Sequence, residues 1–273
     1  MPSIRPAAVA GSFYPGDAGA LAAEVSSYLA EARPGTTGAR APKAIIAPHA
    51  GYMYSGPVAA SIYSRLVSLR GKIRRVVLAG PAHRVYVAGA AIPASRAFAS
   101  PLGDVPIDLG AMEALRALPF VEVDDRAHAQ EHSLEVHLPF LQSVLGSFEL
   151  VPIVVGDASP VEMSRLLELL WGGPETLVVV SSDMSHYLPY KSARGRDRKT
   201  AEAIANLEAN VVSEEACGAA PINGLLRAAR EKGLRCEIVD LRNSGDTAGG
   251  GHLMAGLDRV VGYGAFAFTE PDA

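Results

Sequence analysis

The sequence lacks the features that mark secreted, membrane-spanning or disulfide-bonded proteins. Its 273 residues include only two cysteines, Cys217 and Cys236, which form neither a CxxC pair nor a disulfide framework. No apolar run approaches the roughly 20 residues that span a bilayer. Proline and glycine interrupt the N-terminal segment too early for a signal peptide. We therefore expect a cytoplasmic protein without membrane contact.

An excess of basic charge is also lacking. The 25 basic and 29 acidic side chains give a formal net charge of -4, whereas a general nucleic-acid surface would be basic. Hydrophobic residues make up 49% of the chain and charged residues 20%, which is typical of a globular enzyme. A chain of this length can bury a large core without disulfides.

Short apolar runs alternate with helical patterns along the chain. Strands are predicted at 43–48, 74–80, 88–92 and 148–155 and within 176–187, and helices at 17–31, from about Pro57, at 125–144, 160–170 and about 193–209, and from about 223. This alternation predicts an α/β three-layer sandwich with a largely parallel central sheet. The late strands, 235–243 and 259–268, have no helix between them and should pair antiparallel. No linker or repeat divides the chain, so we expect one domain over residues 1–273.

Three of the buried strands are followed by polar residues with catalytic or ligand chemistry. These residues are His49, His83, Asp183 and His186. In open α/β sheets the ligand crevice lies beyond the carboxyl ends of the strands, so we expect these side chains to converge on one crevice.

Two imidazoles on neighbouring strand ends are a natural beginning for a divalent metal site. A carboxylate as the third protein ligand would leave positions open for a substrate and oxygen on iron. The candidate carboxylates are Asp246, Asp183 and Glu131.

The pentapeptide HAQEH, from His128 to His132, offers a competing site. It matches the inverted zincin signature H-x-x-E-H, in which two zinc ligands lie one helical turn apart and a glutamate acts as base. That interpretation needs a third ligand on another helix, and the sequence offers no good one. A helix start, with Glu131 and Glu135 near its positive end, is favoured instead. For Cys217, in EEACGAAP, a small buried helix residue is favoured over a reactive thiol.

Several segments, in order along the chain, resemble the Memo family and, more narrowly, its prokaryotic members, component B of the AmmeMemoRadiSam system. The segments are AVAGSFYPGD, APHAGYMYSG, LAGPAHR, PLGDVPID, EHSLEVHLPFLQ, VPIVVGD, SSDMSHY, ACGAAPI and RNSGDTAGGGHLMAGLDRVVGYGAFAF. Each segment is a modest signal, but nine in the right order over nearly the whole chain are specific.

The resemblance implies a fold similar to that of the class III extradiol (LigB-like) dioxygenases, which cleave catechol rings with ferrous iron held by two histidines and a glutamate. It implies that His49 and His83 take the positions of the two iron ligands. His186 takes the position of the acid/base histidine, with Asp183 near it. His132 is a further catalytic candidate.

The resemblance is incomplete at the third metal ligand. Animal Memo proteins place a cysteine where this chain has Thr247, with Asp246 beside it. Because Cys217 and Cys236 lie in other segments, we expect a His-His-Asp site that uses Asp246. Iron is the expected metal, with copper or zinc as alternatives and a metal-free crevice as another.

The resemblance also implies partners, because the prokaryotic members are grouped with an AMMECR-domain protein and a radical SAM protein. The expected activity is metal-dependent redox or dioxygenase-like chemistry on a small molecule or peptide bound in the crevice. The alternative is a non-catalytic peptide- or protein-binding module that keeps the crevice.

Overall fold

The computed structural model describes residues 3–32, 40–248 and 258–271. Within these ranges, eight strands form one large sheet in the order β10-β11-β2-β9-β3-β8-β4-β7, and three form a small sheet in the order β1-β5-β6. The strands are β1 (Ile4–Arg5), β2 (Ala44–Ala47), β3 (Arg75–Pro81), β4 (Ala90–Ile92), β5 (Ala97–Phe98), β6 (Val105–Pro106), β7 (Val121–Val123), β8 (Glu149–Val155), β9 (Thr176–Ser181), β10 (Arg235–Asn243) and β11 (Gly262–Thr269).

The central strands β2, β9, β3 and β8 run parallel, as the sequence predicts. Their residues are almost all buried, because helices cover both faces of the sheet. These strands therefore do not alternate between polar and apolar residues. The late strands β10 and β11 pair antiparallel, as expected, and β11 also pairs antiparallel with β2. A β-bulge between Ile238 and Asp240 interrupts the register of β10, which is the outer strand at one end of the sheet.

Helices pack against the large sheet and complete a three-layer α/β sandwich. They are α1 (Ala18–Glu31), α2 (Tyr52–Tyr63), α3 (Leu109–Arg116), α4 (Asp125–Ala129), α5 (Leu138–Leu145), α6 (Pro160–Leu170), α7 (Tyr190–Ala205), α8 (Ala219–Glu231) and α9 (Ser244–Thr247), with 3-10 turns at Ser64–Leu69 and Glu135–His137. Helices α1, α2 and α5 pack together, and α6 packs on α8. In the described ranges, no helix combines the length and apolar character needed to cross a bilayer.

The largest differences from the predicted helix boundaries occur in two places, although α7 and α8 also begin three or four residues early. Helix α2 begins at Tyr52 rather than near Pro57, which lies inside the helix. The helix predicted over 125–144 is broken into α4, a 3-10 turn and α5. Pro139 explains the second break, because its ring lacks an N–H and would clash with the preceding turn in a helix interior; here it stands in the first turn of α5.

Candidate metal centre

His49 follows β2 and is held in one orientation by a serine on the neighbouring strand. Its Nδ1 lies 2.6 Å from Ser181 Oγ, and that hydroxyl donates its only proton to the Ser133 carbonyl, 2.6 Å away. Ser181 Oγ must therefore accept a proton from His49 Nδ1. This fixes the tautomer and leaves a lone pair on Nε2, the atom available to a metal.

His83 follows β3 and is oriented by a buried carboxylate. Its Nδ1–H donates to Glu131 Oε1 over 2.9 Å, and its backbone N–H donates to Glu131 Oε2 over 2.6 Å. The same carboxylate accepts the backbone N–H groups of His132 and Ser133, each over 2.9 Å. A carboxylate behind an imidazole is the arrangement that orients metal-ligating histidines and leaves Nε2 free.

His132 supplies the third imidazole. Its ring stacks on that of His83 with centroids 4.7 Å apart and lies 5.5 Å from that of His49. One nitrogen from each of the three histidines lies within 4.8 Å of the others. His132 Nδ1 is buried and lies 3.3 Å from Glu131 Oε1, but it has no hydrogen-bond partner among the described residues. An unsatisfied buried nitrogen beside two oriented imidazoles fits a metal site.

Burial keeps His49 and His132 in the neutral form that binds metal. Burial, with a smaller contribution from the neighbouring imidazoles, holds the pKa of His49 well below its usual value. Burial also lowers the pKa of His132 to about 4. Burial opposes ionisation of Glu131, yet hydrogen bonds and the charge of His83 lower its pKa to about 2. The centre therefore presents the neutral imidazoles of His49 and His132 beside the negative charge of Glu131.

Asp183 and His186 follow β9 and lie at the same crevice. Asp183 is buried, and its Oδ1 accepts the backbone N–H of His49 over 2.8 Å, so it holds the turn after β2 rather than orienting His186. Burial raises the pKa of Asp183 to about 7. His186 is exposed on the crevice wall, and partial burial of its ring lowers its pKa.

Asp246, the expected third ligand, is not brought to the cluster. Its Oδ2 accepts the backbone N–H of Asn243 over 3.0 Å, which caps α9, and its Oδ1 accepts the Tyr190 hydroxyl over 2.6 Å. The third imidazole beside His49 and His83 is that of His132. The spacing of Asn243 and Asp246 is that of a helix cap, a signal that the sequence does contain.

The inverted zincin interpretation finds no support in the positions of its residues. His128 is buried with Nε2 3.0 Å from the Ala91 carbonyl, and α4 ends at Ala129, so His128 and His132 do not lie one turn apart on a helix. Glu131, its proposed base, orients His83 instead.

Cys217 lies beside the cluster, whereas the sequence favours a small buried helix residue. It precedes α8 rather than lying inside a helix, and its Sγ is 3.4 Å from His49 Nε2. Burial, followed by the charge of Asp183, raises the pKa of the thiol to about 12, so it is protonated. Some 168 residues separate Cys217 from His49, and no local pattern in the sequence predicts their contact.

The three histidines open into a crevice of about 970 Å³. The N-terminal segment 11–15 forms one wall, and Asp183 and His186 stand on another. Further lining side chains are aromatic, aliphatic or charged: Glu24, Met53, Tyr54, Arg84, Tyr187, Arg259 and Tyr263. Tyr187 adopts a left-handed backbone conformation with φ of 55°. The Arg259 guanidinium lies over its ring, with Cζ 5.3 Å from the ring centroid. Such strain in a non-glycine residue is concentrated at functional sites.

Several known proteins are similar to this chain in sequence or in structure. A family model described as "Memo-like protein" matches residues 5–267. A MEMO1 family protein of Sulfolobus acidocaldarius is 34% identical, covering 98% of this chain and 100% of the relative. Another, from Methanothermobacter thermautotrophicus, is 35% identical and covers 95% and 98%. A crystal structure of an uncharacterised Escherichia coli K12 protein shares 16% identity with a TM-score of 0.45, covering 82% of this chain and 99% of that one.

Proposed function

The chain belongs to the Memo family, and from its histidine cluster we propose that it is a metal-dependent oxidoreductase that uses iron or copper. The family resemblance drawn from the sequence motifs is thereby confirmed. The observation that carries the proposal is the meeting of His49, His83 and His132 at one crevice, with two of the rings already oriented by Ser181 and Glu131.

The side chains around the cluster have distinct tasks in this proposal. His49, His83 and His132 would hold the metal, which when bound supplies a Lewis-acid or redox centre to the substrate. His186 is neutral at pH 7 and faces the crevice, so it takes a proton from the substrate and returns it to the product. Asp183 positions the turn that carries His49.

Metal content of the purified protein tests the proposal. We expect near-stoichiometric iron or copper after anaerobic purification with the metal present, and loss of most of it in His83→Ala and His132→Ala. His186→Ala is the matched control, because it removes an imidazole from the same crevice but not from the cluster, and it should retain the metal. Full occupancy in both cluster variants would contradict the assignment.

A binding module without catalysis is the second candidate. The specific observation in its favour is the exposed rim of the crevice, where Met53 is 62%, Tyr54 40% and Tyr187 62% exposed. Arg84 and Arg259 add cationic groups to the same rim. Aromatic and arginine side chains are the residues that anchor protein partners.

We propose further that the chain works with an AMMECR-domain protein and a radical SAM protein. Co-purification with each partner tests this, with wild type compared with Tyr54→Ser and Tyr187→Ser. Retention of a partner by wild type but not by the rim variants would favour the binding module. If neither partner co-purifies with wild type when the metal site is filled, the binding-module candidate is rejected.

A further inference from the structure

Helix α7 presents a strongly basic face to solvent. Five of the chain's 25 basic side chains, but only one of its 29 acidic side chains, lie in the nine residues 191–199. The five form what we call the basic face of α7, and all of them are exposed: Lys191, Arg194, Arg196, Arg198 and Lys199. A protein with a formal net charge of -4 therefore concentrates positive charge on about two turns of one helix.

The helix period separates the basic face from the side of α7 that packs on the protein. The buried residues recur at helical spacing and are Ala193, Asp197, Thr200, Ala201 and Ile204. Asp197 is the one acid in the stretch, and its Oδ1 accepts the Ser185 backbone N–H over 3.0 Å. The exposed positions of residues 191–199 therefore carry basic side chains and no acidic one.

The basic face does not stabilise α7 itself. Lys191 lies in the first turn, where the positive end of the helix dipole disfavours a cation. Arg194 and Arg198 are four residues apart, a spacing at which like charges repel. The guanidinium of Arg194 lies 5.6 Å from the centroid of the Tyr190 ring, which offsets only part of this repulsion. The benefit of the five cations must therefore come from outside the helix.

Gly195 stands in the middle of the basic face. Glycine inside a helix is less stable than alanine, and a Cβ at this position would meet no described atom within 4 Å, so packing does not require the glycine. Its missing side chain leaves a groove of about 370 Å³, which is also lined by Lys191, Ser192, Arg196, Lys199 and Glu215. A ligand can therefore approach the helix backbone between the cationic groups.

The borders of the basic face restrict what can bind there. From residue 191 to residue 199 the face is about 12 Å long. Glu215 lines the groove, and Glu214 is exposed next to it, with its carbonyl accepting Arg196 Nη1 over 3.3 Å. These carboxylates would repel a polyanion wider than the face, such as a nucleic-acid duplex or an anionic membrane. A narrow polypeptide with a few carboxylates fits the space and the charge.

We propose that the basic face of α7 is a docking site for an acidic segment of a protein partner. Several Asp or Glu side chains of that segment meet the five cations, and the groove at Gly195 admits its backbone. Only three residues separate His186 from the first residue of α7, so a partner docked there lies close to the crevice. The docking site requires neither a metal in the cluster nor the aromatic rim.

Fluorescence anisotropy of the full-length protein with a fluorescein-labelled octaglutamate peptide tests the proposal. We expect saturable binding that weakens as the salt concentration rises. Lys191→Glu/Lys199→Glu should lose affinity on the order of tenfold. Lys72→Glu/Arg74→Glu is the matched control, because it changes the net charge equally at exposed positions before β3, and it should bind like wild type. Circular dichroism checks that each variant is folded.

Gly195→Gln separates docking from a purely structural role of α7. Glutamine favours the helix, so the melting temperature should stay the same or rise, whereas peptide binding should weaken several-fold because the side chain fills the groove. Absence of peptide binding by wild type, an equal loss in the control, or unchanged affinity in Gly195→Gln and Lys191→Glu/Lys199→Glu would overturn the docking site. Binding of an octathymidylate as tight as that of the peptide would show a general attraction for polyanions and would also overturn it.

Discussion

At the scale of single residues, the candidate centre depends on groups that do not touch the metal position. Ser181 fixes the tautomer of His49, and Glu131 fixes the ring of His83 through one side-chain and one backbone hydrogen bond. Glu131 is almost fully buried and also receives two further backbone N–H groups. These contacts fix the orientation of the His83 ring, so that its Nε2 is presented as a ligand.

We predict that Glu131→Gln weakens metal binding about 10- to 100-fold, because a neutral amide cannot accept all of these hydrogen bonds. Competition against a chromophoric chelator would give the dissociation constants. Glu24→Gln is the matched control, because Glu24 lines the same crevice but orients none of the cluster histidines. Equal affinities for Glu131→Gln and wild type would show that this carboxylate does not support the metal position.

At the scale of secondary-structure elements, the sequence predicts the sheet well because its central strands are short apolar runs with polar ends. The strand-end positions of His49 and His83 follow from the same pattern. The break of the helix predicted over 125–144 was missed, and with it the position of His132. Glu131 lies beyond the end of α4 instead of continuing a helix. Its carboxylate accepts the backbone N–H of His83, in the turn after β3. Local periodicity does not reveal this long-range contact.

The contact of Cys217 with His49 shows the same limit. Its segment, EEACGAAP, was interpreted as helical, whereas the cysteine lies just before α8. Only the folded chain places that residue on the end of β9, through the hydrogen bonds with Asp183.

One buried carboxylate, that of Glu135, holds the N-terminal segment that forms a wall of the crevice. Glu135 accepts the backbone N–H of Ala8 over 2.7 Å and of Val9 over 2.9 Å, and the Tyr14 hydroxyl over 2.6 Å. It also pairs with Arg5, whose guanidinium donates to the carbonyls of two residues near the cluster. Both charged side chains are buried, and the groups that face them are satisfied.

We predict that Glu135→Gln destabilises the protein by about 3–5 kcal/mol, because it leaves the Arg5 charge buried without its counter-ion. Urea unfolding would measure the loss, and hydrogen exchange should show faster exchange of the Val9 amide. Glu149→Gln, at an exposed position, is the control and should change stability little. If unfolding is unchanged in Glu135→Gln, the clamp does not hold the segment.

At the scale of the whole molecule, stability should depend on pH because the fold buries neutral histidines. Burial lowers the pKa of His128 from 6.5 to about 4, and that of His137 from 6.5 to about 3. Around His128, the charge of Arg5 lowers the pKa further, while Asp125 and Glu131 oppose the shift. In the unfolded chain both rings titrate at their ordinary values.

We predict that the free energy of unfolding falls as the pH falls from about 6.5 towards 4, because the unfolded state then binds more protons than the folded state. The shift at His128 corresponds to a loss of about 3 kcal/mol once the ring is protonated in both states. Urea unfolding at intervals between pH 7 and pH 4 would measure it. The loss should be smaller in His128→Gln; an identical pH profile in that variant would exclude His128 as a source.

The ends of the large sheet have a consequence for solubility. An outer strand offers unpaired N–H and C=O groups on which another chain can add, the route to edge-to-edge aggregation. At one end β7 is only three residues long, and at the other β10 carries the bulge between Ile238 and Asp240 together with charged side chains at 235, 237, 240 and 242. Each end of the sheet, as the described residues form it, is therefore a poor template for another strand. This should limit edge-to-edge aggregation of the protein.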